Sequence, residues 1–195
     1  MRKLLLSTAI ALSTIGSPAF AAQTDVWAHL DPWTIRVDHT AGNGCFMDAT
    51  YPTSNTYLRI GIDNRGAPQA YMMIANPKWT SSEQGKLYSL DVKFDDGQTA
   101  TWKGQATLIG KTPTLVVDFD PARAIGDTLY VFGVQTGFRL FYEGREIASL
   151  RLNGTAKAAV ETYRCQKAQA GAPKDDPFSR PAQSSSDFWR ASCSR

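Results

Sequence analysis

Short segments that alternate apolar and polar residues recur along the chain about every eight to twelve residues, each closed by turn-forming residues. This rhythm constrains the fold more than any other feature. Alternation puts successive side chains on opposite faces of an extended backbone, so each segment offers one apolar face to a core. A parallel sheet would need a crossover helix between successive strands, and only one good helical segment is visible. The pattern therefore predicts a mainly β domain: an antiparallel β-sandwich or flattened barrel with one C-terminal α-helix.

Tyr88, Leu90, Val92 and Phe94 alternate with Ser89, Asp91 and Lys93 and predict the clearest half-buried strand. Asp95-Asp96-Gly97-Gln98 supplies the tight turn after it. Trp33, Ile35 and Val37 form a similar inward face, as do Leu58, Ile60 and Ile62, whose neighbour Arg59 points the other way. Cys45 to Tyr51 is extended, and the apolar run Ala70–Ala75 predicts a strand deep in the sheet. Thr99–Trp102, Ala106–Ile109 and Thr114–Phe119 are further short strands. Leu129–Val134, Phe138–Tyr142 and Ile147–Leu152 are expected as three more. Gln23 to Asp31 is read as a polar lead-in, and Trp79 to Gly85 as a loop. Ala156 to Cys165 is the expected helix, capped by Thr155, with Ala156, Ala159, Val160 and Tyr163 as its buried stripe.

Residues 1–22 have the layout of a secretory signal peptide. Arg2 and Lys3 are basic, Leu4–Ile15 is apolar, and Ala19-Phe20-Ala21 is a small-x-small site, with cleavage near Ala21 or Ala22. The apolar run is shorter than the roughly 20 residues that cross a bilayer. The expected address is the periplasm or beyond, and the protein is not expected to span a membrane. The formal charge of +3 loses two positive charges with Arg2 and Lys3, so it gives no reason to expect a nucleic-acid partner. The expected organisation is the leader, one β-rich domain over residues 23–165, and a flexible polar tail over 166–195, in which Phe178, Phe188 and Trp189 stand out.

Thiols pair in an oxidising compartment, and the chain has three cysteines. Cys45 and Cys165 bracket the patterned region and are the expected disulfide, leaving Cys193 free or available to a second molecule. A Cys165–Cys193 pair is the rival. With no CxxC pair and neither histidine near a cysteine, no metal site and no cofactor are expected.

Trp33-Thr34-Ile35, Gly44-Cys45-Phe46-Met47, Tyr142-Glu143-Gly144 and above all Leu150-Arg151-Leu152-Asn153-Gly154-Thr155-Ala156-Lys157-Ala158-Ala159, followed by Cys165, resemble small exported alphaproteobacterial proteins of the invasion-associated locus B-like type. The resemblance spans most of residues 33–165. It implies a periplasmic β-rich domain with a terminal helix, and it carries no catalytic residues.

His29 and His39 are the only histidines, and no GxSxG elbow accompanies the serines. No catalytic residue is therefore assigned. Aromatic faces stack on sugars and anchor interfaces. Trp79, next to Lys78 in a predicted loop, is the leading binding candidate, with Trp102 beside it among the remaining aromatics. The expected function is non-enzymatic binding of an envelope protein or glycan. The alternatives are an inhibitor of a cell-wall hydrolase and, less favoured, a hydrolase.

Overall fold

The computed structural model describes residues 23–171. The leader, and Phe178, Phe188, Trp189 and Cys193, lie outside the described residues. The strands are β1 Thr24–Leu30, β2 Trp33–Asp38, β3 Gly44–Tyr51, β4 Thr56–Asp63, β5 Gln69–Ala75, β6 Leu87–Phe94, β7 Thr99–Ile109, β8 Thr112–Asp118, β9 Gly137–Tyr142 and β10 Arg145–Arg151. The helices are α1 Ile125–Val134 and α2 Thr155–Gly171.

All ten strands join one antiparallel sheet in the order β1-β2-β3-β4-β5-β8-β7-β6-β9-β10. The mainly β, antiparallel expectation holds, with a helix at its C-terminal end. The sheet is not closed into a barrel. Register explains how it makes a core: Ile35, Met47, Ile60, Met72 and Val117 lie opposite one another across five strands. Val92 and Leu140, then Phe94 and Phe138, continue that inner face on β6 and β9. These residues share a single buried cluster, so the sheet curls around its inner face. Its two ends approach where Trp33 Nε1 donates to the Asn153 carbonyl (2.9 Å) and Tyr51 Oη to the Arg151 carbonyl (2.5 Å).

Cys45 and Cys165 are bonded, with their Cα atoms 6.0 Å apart across a sequence separation of 120. Gln166 Oε1 also accepts from the Cys45 backbone N–H at 2.9 Å. Cys165 is thus engaged, and the rival pairing with Cys193 does not form.

Four local expectations need correction. Residues 24–30 form β1 rather than a lead-in. This strand pairs with β2 through a bulge between Val26 and Ala28, and none of its side chains is fully buried, so it carries no apolar alternation. Residues 99–109 form one continuous strand. The gap in their pattern is Gly104, an inward position whose space Leu90 fills: a Cβ there would lie 2.7 Å from Leu90 Cδ1. Leu129–Val134 is helical, not extended. Its buried residues, Thr128, Leu129 and Phe132, fall on one helical face, and Gly133 lets α1 approach Ala156 of α2.

In α2 the buried stripe is Thr155, Ala158, Ala159, Thr162 and Cys165, whereas Val160 and Tyr163 are 55% and 43% exposed. Small residues face β2 and β3 because the disulfide draws the helix close. Thr155 is the first residue of α2. Its hydroxyl donates to the Leu152 carbonyl at 2.7 Å instead of accepting from the helix.

Candidate functional site

The connection from β5 to β6 must pass the ends of β8 and β7, which lie between those strands in the sheet. Residues 76–86 make that crossing, and both ends are pinned. Asn76 is buried, and its amide donates to Thr56 Oγ1 (3.0 Å) and to the Ser54 carbonyl (3.2 Å). Its Oδ1 accepts from the Lys78 backbone N–H (2.9 Å), and its carbonyl from that of Trp79 (3.1 Å). At the far end Gly85 N–H donates to the Ala106 carbonyl at 2.7 Å, with Gly85 in the left-handed region at φ +83°. Fixed turns therefore present Lys78 and Trp79.

Beneath this loop is a cavity of about 250 Å³. Leu90, Leu115 and Ile147 form its floor. Trp79, Tyr88 and Tyr142 supply rings, and Lys78, Lys86 and Arg145 supply positive charge. Tyr88 and Tyr142 meet edge to face at 5.2 Å. Tyr88 Oη accepts from the Glu83 N–H at 2.9 Å, which orients the ring. Lys86 Nζ pairs with Glu83 (2.5 Å) and sits 5.4 Å from the Tyr88 centroid. Glu143 beside Tyr142 shifts its phenol above the ordinary tyrosine value through a side-chain hydrogen bond. Flat apolar faces, hydroxyl donors and cations over an apolar floor suit a sugar ring that carries negative charge.

The structure brings Lys78 and Trp79 together at this cleft but leaves Trp102 elsewhere. Trp102 packs in an aromatic cluster with Phe119, Phe94, Phe132 and Phe138, at centroid distances of 5.5, 5.9, 6.0 and 6.2 Å. The cleft also draws on Tyr142, Arg145 and Lys86, which the sequence did not single out as a set. Their signal was weak: Tyr142 ends β9 just before the Glu143-Gly144 turn. His29 and His39 are both exposed near the β1 edge. His29 Nδ1 faces Thr34 Oγ1 at 3.3 Å. His39 contacts Asn43 Oδ1 at 2.8 Å and Asp25 Oδ2 at 3.0 Å. Neither lines the cleft.

A second polar cluster occupies the outer face of β3, β4 and β5. The Arg59 guanidinium lies 3.5 Å from the Phe46 centroid, donates to Tyr71 Oη (2.5 Å) and pairs with Asp38 (2.5 Å). Gly61 makes room, since a Cβ there would come within 2.5 Å of Phe46 Cβ. Burial opposes ionisation of Asp38, but hydrogen bonds from Thr40 and Arg59 outweigh it and hold the carboxyl below its usual range. A depressed carboxyl pKa contributes stability above the unfolded value and loses it as pH falls through the folded one. Asp48 has the opposite sign: burial raises its pKa despite Arg36, so protonation relieves a cost there. Asp38→Asn should therefore destabilise the protein at pH 7 by about 2–3 kcal/mol, through the unpaired Arg59. The difference from the parent should shrink below about pH 4, as urea unfolding at the two pH values would show.

No protein-family model matches the chain, and no curated protein matches it in sequence. Among solved structures it is similar to the crystal structure of invasion associated protein B from Bartonella henselae. The identity is 14% over 70% of this chain and 94% of that one, with a TM-score of 0.47. That is the type the sequence motifs resemble, and the likeness is modest. No helix among the described residues is long and apolar enough to cross a membrane.

Proposed function

We propose that this chain is an exported, non-enzymatic envelope protein that binds an anionic glycan in the cleft beneath loop 76–86. The convergence of three rings and three cations on one cleft carries this reading. Among the described residues, the one carboxylate lining the cleft, Glu83, is already paired with Lys86. Among the described residues the cleft is lined by neither histidine nor cysteine, and the exposed settings of His29 and His39 give little support to a hydrolase. Export to the periplasm is supported by the basic and apolar leader with cleavage near Ala21 or Ala22, and by a disulfide of the kind that persists in oxidising compartments.

The test is capture of solubilised envelope glycans on the immobilised protein, with Trp79→Ala and Trp102→Phe alongside. The parent and Trp102→Phe should retain an acidic glycan fraction that Trp79→Ala loses. Equal capture by all three would remove the cleft from the account.

A further inference from the structure

A groove of about 580 Å³ runs between α1 and α2, on the side of α2 that turns away from the sheet. Its walls are apolar and open to solvent. Tyr130 is 69% exposed, Val134 54%, Val160 55% and Tyr163 43%. At the C-terminal end of α2 the rim carries Arg164, which pairs with Glu161 at 3.3 Å, and Lys167, whose Nζ lies 4.8 Å from the Tyr163 centroid. These are the large apolar side chains that helical periodicity would bury, and the sheet does not take them.

The chain continues from α2 as Ala172-Pro173-Lys174-Asp175-Asp176-Pro177-Phe178. This stretch complements the groove in order along the chain. Proline soon after a helix end favours a change of direction. Lys174 comes next, then two acids, Asp175 and Asp176, suited to the basic rim, and after Pro177 one large aromatic, Phe178. The reach is sufficient. Seven extended residues from Gly171 to Phe178 span up to about 23 Å, and Val160 lies only about 16 Å back along α2 at the helical rise. The groove is an outer face of the two helices, separate from the cleft under loop 76–86.

We propose that residues 172–178 fold back along α2, seating Phe178 between Tyr130, Val160 and Tyr163 with Asp175 and Asp176 against Arg164 and Lys167. The segment then covers the apolar helix faces and holds them away from other chains. Because the tether is short, the contact is intramolecular, with an effective concentration in the millimolar range.

The experiment is hydroxyl-radical footprinting of the full chain, comparing the parent with Phe178→Asp at two protein concentrations. Circular dichroism confirms that both are folded. The expected result is low labelling of Tyr130 and Tyr163 in the parent, rising at least about threefold in Phe178→Asp as a mostly occupied intramolecular contact is lost. Tyr51, whose hydroxyl is bonded to the Arg151 carbonyl, serves as the unchanged reference. Equal labelling of the groove tyrosines in the two proteins overturns the proposal. Protection that survives Phe178→Asp but disappears on dilution also overturns it, and assigns the groove to a second copy of the chain.

Discussion

Replacing Cys45 and Cys165 together by alanine is expected to cost about 3–5 kcal/mol of stability. The bond closes a loop with a sequence separation of 120, for which the chain-entropy model gives close to 5 kcal/mol, and typical native disulfides deliver 2–5. Both residues are fully buried, so alanine avoids placing an unpaired hydroxyl in the core. The loss has a structural side as well. Small residues of α2 lie against β2 and β3 where the bond and the Gln166 contact hold them. Urea unfolding of parent and double variant under the same buffer measures the difference. Parent treated with reductant should approach the variant. A difference under about 1 kcal/mol would mean that packing alone holds α2.

Phe132→Ala is expected to cost about 3–5 kcal/mol, the usual range for emptying a buried aromatic site. Phe132 is 1% exposed and carries α1 into the inner face of the sheet. Its ring centroid lies 5.8 Å from Phe119, 6.0 Å from Trp102 and 6.3 Å from Phe138. The cluster draws on β7, the turn after β8, α1 and β9, so a void there touches four parts of the chain. Near-ultraviolet circular dichroism should weaken with the fall in melting temperature, because Trp102 loses a neighbouring ring. Tyr130→Ala, two positions earlier on the exposed side of the same helix, should cost far less. Comparable losses would place α1 in a different rotation.

Phe132 also shows where a linear reading stops. Leu129-Tyr130-Val131-Phe132 is rich in aromatic and branched residues and reads as a strand on composition. The helix wins because Leu129 and Phe132 find the open aromatic cluster, a tertiary fact with no local signature. Strands β2, β4 and β6 were legible because each has one buried and one wetter face, which alternation reports directly. Strand β1 was illegible because it lies at the sheet edge and only Ala28 and Leu30 pack, partly buried, against the core. Gly104 hid the unity of β7 by removing the side chain that would have marked the inward position. In α2 the expected stripe followed the largest apolar residues, whereas the disulfide selected a face of small ones.

The candidate site divides in the same way. Trp79 and Lys78 could be found because Asn76-Pro77 marks the end of a strand and the start of a loop. Tyr88, Tyr142 and Arg145 could not be joined to them. Their meeting depends on the crossing of residues 76–86 over β8 and β7, and that crossing is a property of strand order. Trp102 has the same composition signal as Trp79, yet its inward position on β7 commits it to the aromatic cluster.

The most direct test of the central claim is a fluorescence titration with soluble anionic glycan fragments from bacterial envelopes, against an uncharged glycan of similar length. Parent, Trp79→Ala and Trp102→Phe are compared, each at two salt concentrations. Saturable binding of the anionic fragments is expected for the parent and for Trp102→Phe, weakened by salt as the three cations are screened. A roughly tenfold rise in Kd is expected for Trp79→Ala, the loss of about 1.4 kcal/mol of ring contact. Binding that ignores the charge of the glycan, or that survives Trp79→Ala unchanged, would rule out this cleft as an anionic-glycan site.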